Sequence, residues 1–277
     1  MVDQSDMRKA ERGTNVFTMK SYVQAESLEE AYALRKKSKK NVILGGNLWR
    51  KMGSGNVMTG IDLCNLSLDQ IEEEEDGYKI GCMCSLRELE VNPSLEKEFQ
   101  GSFREALRHI VGVQFRNTAT VGGSVFPRFG FSDVLTIFAA LDCQIELYHG
   151  GLVPIKEFLD QKLDNDILVH VIVKKDQRKV SYQTHRMTET DFGILTCAVA
   201  YKDGKYTVVL GARPYRAKIV DDLVLENPHD EEEMNRFLDA TTDQFKFGSN
   251  MRGSAEYRKA IAKVLIKRAI LEINGEE

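Results

Sequence analysis

The chain has 277 residues, long enough for two or three lobes around a sizeable shared core. Its 38 basic and 42 acidic residues leave a formal net charge of −4, which argues against a protein whose affinity rests on neutralising nucleic-acid phosphates. No stretch reaches the roughly 20 apolar residues of a bilayer-spanning helix, and the opening "MVDQSDMRKAERG" has no apolar centre, so the expected location is cytoplasmic, with no membrane span.

In chain order, "SLEE" at 27–30 reads as a capping box, with the Ser27 hydroxyl accepting from a first-turn amide and Glu30 reaching back. A short helix through Leu28, Ala31 and Leu34 follows. The basic cluster "RKKSKK" at 35–40 reads as its solvated end. A strand "NVIL" at 41–44 then runs into Gly45-Gly46. "YKIGCMC" at 78–84 is strand-like, Ser85 with Glu88 forms a second capping box, and Ser102 with Glu105 a third, ahead of Phe103, Leu107, Ile110 and Val111. Capped helices alternating with short strands point to mixed α and β structure. Cysteines at 64, 82, 84, 143 and 197 are odd in number, and Cys82 and Cys84 lack a second ligand pair, so they read as buried thiols rather than a metal or redox pair.

Beyond "VLTIFAALD" at 134–142, a helix, come a strand "CQIELY", a turn at Gly150-Gly151 and a polar stretch at 159–166 that marks a domain junction. "ILVHVIV", "KVSYQTH", "ILTCAVAY" and "YTVVLGA" are four strand candidates after it, the last two joined by "KDGK", whose Asp-Gly pair favours a tight hairpin. Two helices close the chain. One presents Met234, Phe237, Leu238 and Thr241; the other, "SAEYRKAIAKVLIKRAI" at 254–270, turns Ile261, Val264, Leu265 and Ile266 inward. The final third is therefore expected to be an antiparallel sheet carrying helices, a unit of its own at 168–272.

Two segments share a plan: β-branched residues, then "GGN" at 45–47 and "GGS" at 122–124. Glycine allows positive φ and a close main-chain approach, so successive amides can converge on an anion such as a pyrophosphate; the plain alternative for each pair is a sharp turn. Neither fits the Rossmann fingerprint or the Gly-Lys-Ser/Thr phosphate loop. The five histidines show no ligand spacing, which sets aside a metal bound by this chain.

"VILGGNLWRKM", "RNTATVGGSVFPRFGFSDVLTIFAALD" and "SAEYRKAIAKVLIKRA" together resemble three signature segments of the FAD-binding medium subunit of molybdenum hydroxylases, the xanthine dehydrogenase and carbon monoxide dehydrogenase family. The middle one carries most of the likeness, with Arg116, Asn117, Thr120, Val121, Gly122, Gly123, Ser124, Ser132 and Asp133 at the family's offsets. The chain departs from the pattern at Asn47, Leu48 and Trp49, where the first loop is one residue short, and at Ser124, where the family has Asn. A second-domain motif is partly recognisable in Arg186, Asp191 and Phe192.

The resemblance implies an α+β fold: a two-lobed FAD-binding domain of the PCMH type (17–75 and 76–160), then the C-terminal sheet-and-helix domain of the CO dehydrogenase flavoprotein type. It implies FAD contacts at Val42, Ile43, Leu44, Gly45, Gly46, Asn47, Leu48, Trp49, Thr120, Val121, Gly122, Gly123, Ser124, Asp133, Asp191 and Phe192, with amides of 45–49 and 120–124 facing the pyrophosphate. Asp133 reads either as a carboxylate for sugar or ribityl hydroxyls or as a helix-start residue behind Ser132, and the two are compatible. Trp49 reads as a flavin wall or as core packing. The implied partners are a molybdopterin-binding large subunit and a [2Fe-2S] small subunit, since this chain has no cysteine clusters for such centres, and the implied function is electron transfer from those clusters through FAD to NAD+ or another acceptor. Two other readings stay open: a stand-alone FAD-dependent reductase similar to enolpyruvyl-UDP-N-acetylglucosamine reductase, against which the 254–270 segment argues, and a flavin-free binding module, which a flavin absorption spectrum would separate.

Overall fold

A computed structural model describes residues 17–53, 55–162 and 165–275; the N-terminal stretch and two positions of the 159–166 junction lie outside it. The first lobe is a three-stranded parallel sheet, β1 (Thr18–Gln24), β2 (Val42–Leu44) and β3 (Asn56–Asp62), in the order β1-β3-β2. Helix α1 (Leu28–Lys37) starts at Ser27, whose side chain accepts from the Glu30 amide at 3.1 Å. The Glu30 carboxylate accepts from the Glu26 amide, one residue before the cap.

The second sheet holds β4 (Ile71–Glu73), β5 (Gly77–Gly81), β6 (Gln144–Leu147), β7 (Gly151–Pro154) and β8 (Leu168–Lys174), ordered β4-β5-β8-β6-β7. This corrects two expected boundaries. Strand 168–174 does not begin the C-terminal unit: it pairs antiparallel with β5 through 170–174 and with β6 through 168–172, and so forms the centre of the second lobe's sheet. Strand 71–73 likewise pairs with β5, outside the first lobe's sheet.

Around this sheet pack α2 (Leu86–Val91), α3 (Pro93–Glu98), α4 (Ser102–Leu107), α5 (Val113–Arg116), α6 (Val121–Val125), α7 (Asp133–Ala140) and α8 (Ile155–Asp160). Ser85 and Glu88 form the expected capping box. Ser102 does not cap: the N-cap of α4 is Gly101 at φ 75°, and the Ser102 hydroxyl is buried without a partner. "YKIGCMC" is a strand only to Gly81, because Cys82-Met83 turns away; Cys82 and Cys84 are buried, and burial lifts both thiols to about 12.

The third sheet is β9 (Lys179–Arg186), β10 (Gly193–Lys202), β11 (Lys205–Gly211) and β12 (Lys218–Leu223), antiparallel in the order β12-β11-β10-β9. The β10–β11 hairpin turns on Asp203 (φ 50°) and Gly204 (φ 78°), as the Asp-Gly pair requires. Alternation along the strands gives the sheet two covered faces. Tyr182, Ala198 and Ala200 belong to a core continuous with the second lobe, against α4 and α7. Leu195, Cys197 and Val199 pack with α9 (Glu231–Asp243) and α10 (Ala255–Ile273). In α10 the inward residues are Ala262, Leu265, Ile266, Ala269 and Ile270, with Ile261 partly buried; Val264 is 43% exposed, against expectation.

Candidate functional site

Beyond β2, the chain crosses Gly45-Gly46 and enters a single 3-10 turn, Arg50–Met52. The glycines are there for proximity, not for positive φ. A Cβ at Gly46 would lie 1.9 Å from the Thr118 carbonyl oxygen, and one at Gly45 would lie 2.5 Å from Thr120 Oγ1. The left-handed position is Asn47, at φ 56°. The first lobe thus lies directly on the main chain of the second. The amides of Gly46, Asn47, Leu48 and Trp49 donate to no acceptor among the described residues.

The second glycine pair differs from the loop expected. Residues Val121–Val125 form α6, capped by Thr120, and all four of the amides from 121 to 124 are engaged. Val121 donates to the Cys84 carbonyl (2.9 Å), Gly122 to Cys82 (2.8 Å), Gly123 to Thr120 Oγ1 (3.2 Å) and Ser124 to the Thr120 carbonyl (3.1 Å). A Cβ at Gly122 would meet Cys82 at 2.9 Å, so its bareness serves packing on the strand end.

Two cavities flank this contact, about 560 Å³ and about 170 Å³, and Ile43, Gly45, Arg50, Gly123 and Pro127 line both. Of the expected site residues, Ile43, Gly45, Gly46, Asn47, Leu48, Trp49, Gly123, Ser124, Asp133, Asp191 and Phe192 line the larger cavity. Val42, Thr120 and Gly122 line the smaller one. Leu44 and Val121 line neither: they are buried in the core, since the strand and helix that carry them turn them inward.

One wall of the larger cavity is aromatic. Trp49 stacks on Phe192 (5.3 Å between centroids, 29° between planes) and meets Phe115 and Phe131 edge-on; Phe131 lies 4.6 Å from Phe192 and stacks on Phe129 at 5.1 Å. Trp49, 40% exposed, is wall and not core.

Asp133, 6% exposed, stands in the first turn of α7 behind the N-cap Ser132. Burial pushes its carboxyl pKa up, opposed by an ion pair with Arg186 and a 2.5 Å hydrogen bond from the Tyr182 hydroxyl. Arg186 also donates to the Asp191 carbonyl at 2.6 Å, and the Asp191 carboxylate is held below its usual range by Arg252 (3.0 Å) and the Phe192 amide (2.7 Å). His109 lines the same cavity with Nδ1 3.7 Å from Glu189; burial, then Arg108 and Arg186, keep its pKa below the ordinary value. Arg116 of the middle segment stays away from the cavity, in a bidentate pair with the buried Glu90 (2.7 and 3.2 Å).

Sequence reasoning missed Arg50, although it directly follows Trp49 in the first loop, and it missed His109, Phe115 and Arg252, which reach the site through tertiary structure. Phe129 and Phe131, two apart just before Ser132, carried a local signal.

Free consecutive amides, an adjacent arginine, an apolar aromatic wall and a second small chamber suit a ligand with an anionic middle and two ring systems. The larger cavity, at about 560 Å³, falls in the range of cofactor sites, on the order of 300–1,000 Å³, and the smaller adds a side chamber. FAD has this chemistry, so the residues present fit it.

Comparison with known proteins agrees. Residues 15–175 match the FAD binding domain in molybdopterin dehydrogenase, and residues 181–273 the CO dehydrogenase flavoprotein C-terminal domain. The uncharacterised protein YgfM of Escherichia coli K12 is 24% identical over 256 residues, covering 90% of this chain and 94% of YgfM. The glyceraldehyde dehydrogenase medium chain of Sulfolobus acidocaldarius is 24% identical, covering 91% and 98%. Among solved structures, quinoline 2-oxidoreductase from Pseudomonas putida 86 superposes with a TM-score of 0.81 at 20% identity, covering 92% of this chain and 97% of that one.

Proposed function

The chain belongs to the family of FAD-binding medium subunits of molybdenum hydroxylase-type complexes, and from that premise we propose that it carries electrons from the iron-sulfur clusters of a small subunit to NAD+ or another acceptor. Hydroxylation would take place on a molybdopterin-binding large subunit. Bound FAD supplies the exchange between one-electron and two-electron transfer. The chain's residues bind and orient it: the amides of Gly46 to Trp49 with Arg50 hold the diphosphate, Trp49 and Phe192 wall a ring, and the smaller chamber takes the other end. The run of four free amides is the observation that carries this reading. The match of 181–273 supports a complex subunit over a stand-alone reductase. The five unpaired thiols suit a cytoplasmic setting, and no helix among the described residues is long and apolar enough to cross a membrane.

The experiment is to purify the chain from its source cells and, separately, to titrate the isolated chain with FAD. The expected outcome is co-purification with a molybdenum- and iron-containing partner and retention of one FAD per chain in the flavin absorption band. A chain that retains no FAD after reconstitution contradicts the proposal.

A further inference from the structure

The segment at 254–270 resembles a family signature, yet none of its residues lines either cavity. Arg258, in the first turn of α10, is fully buried, and every one of its acceptors is neutral. Its Nε donates to the Ile194 carbonyl (2.9 Å), Nη1 to the carbonyls of Gly248 (2.8 Å) and Gly253, and Nη2 to Asn250 Oδ1 (2.7 Å). A guanidinium buried without a carboxylate is costly, and it persists only where its fork of donors fixes several backbone segments at once.

Those segments meet at the site. Ile194 lies two residues beyond Phe192, at the start of β10. The 248–253 turn carries Arg252, which returns to the Asp191 carboxylate at 3.0 Å and lies over the Phe192 ring at 5.2 Å. On the other side, the Tyr257 hydroxyl is 2.8 Å from His185 Nε2, and the next residue, Arg186, bonds the Asp191 carbonyl. The 187–192 loop is therefore held at both ends and again at Asp191-Phe192.

We propose that Tyr257, Arg258 and Arg252 are positioning residues through which the C-terminal domain holds Phe192 against Trp49, closing the aromatic wall on the bound cofactor. The proposal rests on the FAD reading for its ligand but not for its geometry. It gives residues of the C-terminal domain that lie outside the cavity the task of holding those that line it.

Trp49 is the only tryptophan of the chain, so its emission reports the stack directly. Arg252→Gln and Tyr257→Phe are the primary variants because both side chains are partly exposed and the fold does not hang on them. Arg258→Lys tests the fork, since lysine keeps the charge but not the planar set of donors. The expected result for each folded variant is FAD dissociation about tenfold faster, an unchanged far-UV spectrum and red-shifted Trp49 emission in the FAD-free protein. Arg252→Lys, which keeps the ion pair and loses the planar stack on Phe192, recovers part of the wild-type dissociation rate. Unchanged FAD release and unchanged Trp49 emission in both primary variants would overturn the clamp. If the wild-type chain itself takes up no FAD, the cofactor reading fails, and the emission of the FAD-free variants still decides the clamp.

Discussion

Gly46 and Gly123 are both glycines of paired motifs, and their surroundings set very different limits. At Gly46 a methyl group would sit inside the van der Waals radius of a backbone carbonyl, whereas at Gly123 it would lie 3.1 Å from Thr120 Oγ1, an atom on a side chain that can give. Gly46→Ala should therefore cost about 3 kcal/mol in urea unfolding, at the upper end of overpacking, and abolish FAD retention, while Gly123→Ala should cost less than about 1 kcal/mol. Equal costs at the two positions would contradict this account of the lobe contact. The bare backbone was legible in the sequence at both places, but its cause was not. Glycine shows that a Cβ is excluded, not what excludes it. The residue that does need positive φ, Asn47, carries no such mark because Asn tolerates that region. The amide count was likewise invisible, since the Thr120 cap that occupies Gly123 depends on where the chain turns.

Between elements, the connection from β8 to β9 is pinned by Asp176. Its carboxylate takes Arg178 Nε at 2.8 Å and Nη2 at 2.5 Å and Lys202 at 3.0 Å, and Arg178 also donates to the Ala140 carbonyl at the end of α7. Burial raises the carboxyl pKa, but the two cations outweigh it and bring it down to about 2 from an ordinary 3.8. A depressed acidic pKa stabilises the fold above the unfolded value and ceases to do so as pH falls through the folded one. Asp176→Asn should thus be less stable than wild type by on the order of 2 kcal/mol at pH 7, with the gap closing between about pH 4 and about pH 2 in denaturant titrations. A gap that is independent of pH would exclude the ion-pair explanation. Most elements were legible from their caps and periodicity: α1, α2, α7 and the last two helices stand where the patterns put them. Ser102 misled because a Ser-x-x-Glu spacing fits the first turn of a helix as well as its cap, and Gly101 in the left-handed region took the cap. The strand at 168–174 was recognised as a strand, but its sheet was not, because a buried strand's pattern does not name its neighbours.

At the level of the whole molecule, the larger cavity is lined by residues of all three units. The first lobe supplies unengaged amides and Trp49, the second supplies the chain they rest on and Asp133, and the C-terminal domain supplies Arg186, Asp191, Phe192 and the residues that hold them. Mixed α and β structure and a final sheet carrying helices were legible in the texture of the sequence, whereas the two-lobed division and the cleft, which arises where distant segments converge, could be expected only through the family resemblance. The most direct test of this cofactor site is a crystal structure of the chain loaded with FAD. The expected result is diphosphate oxygens within hydrogen-bonding distance of the amides of Gly46 to Trp49, with a ring against Phe192. A diphosphate bound elsewhere, with those four amides facing only water or protein, would contradict it.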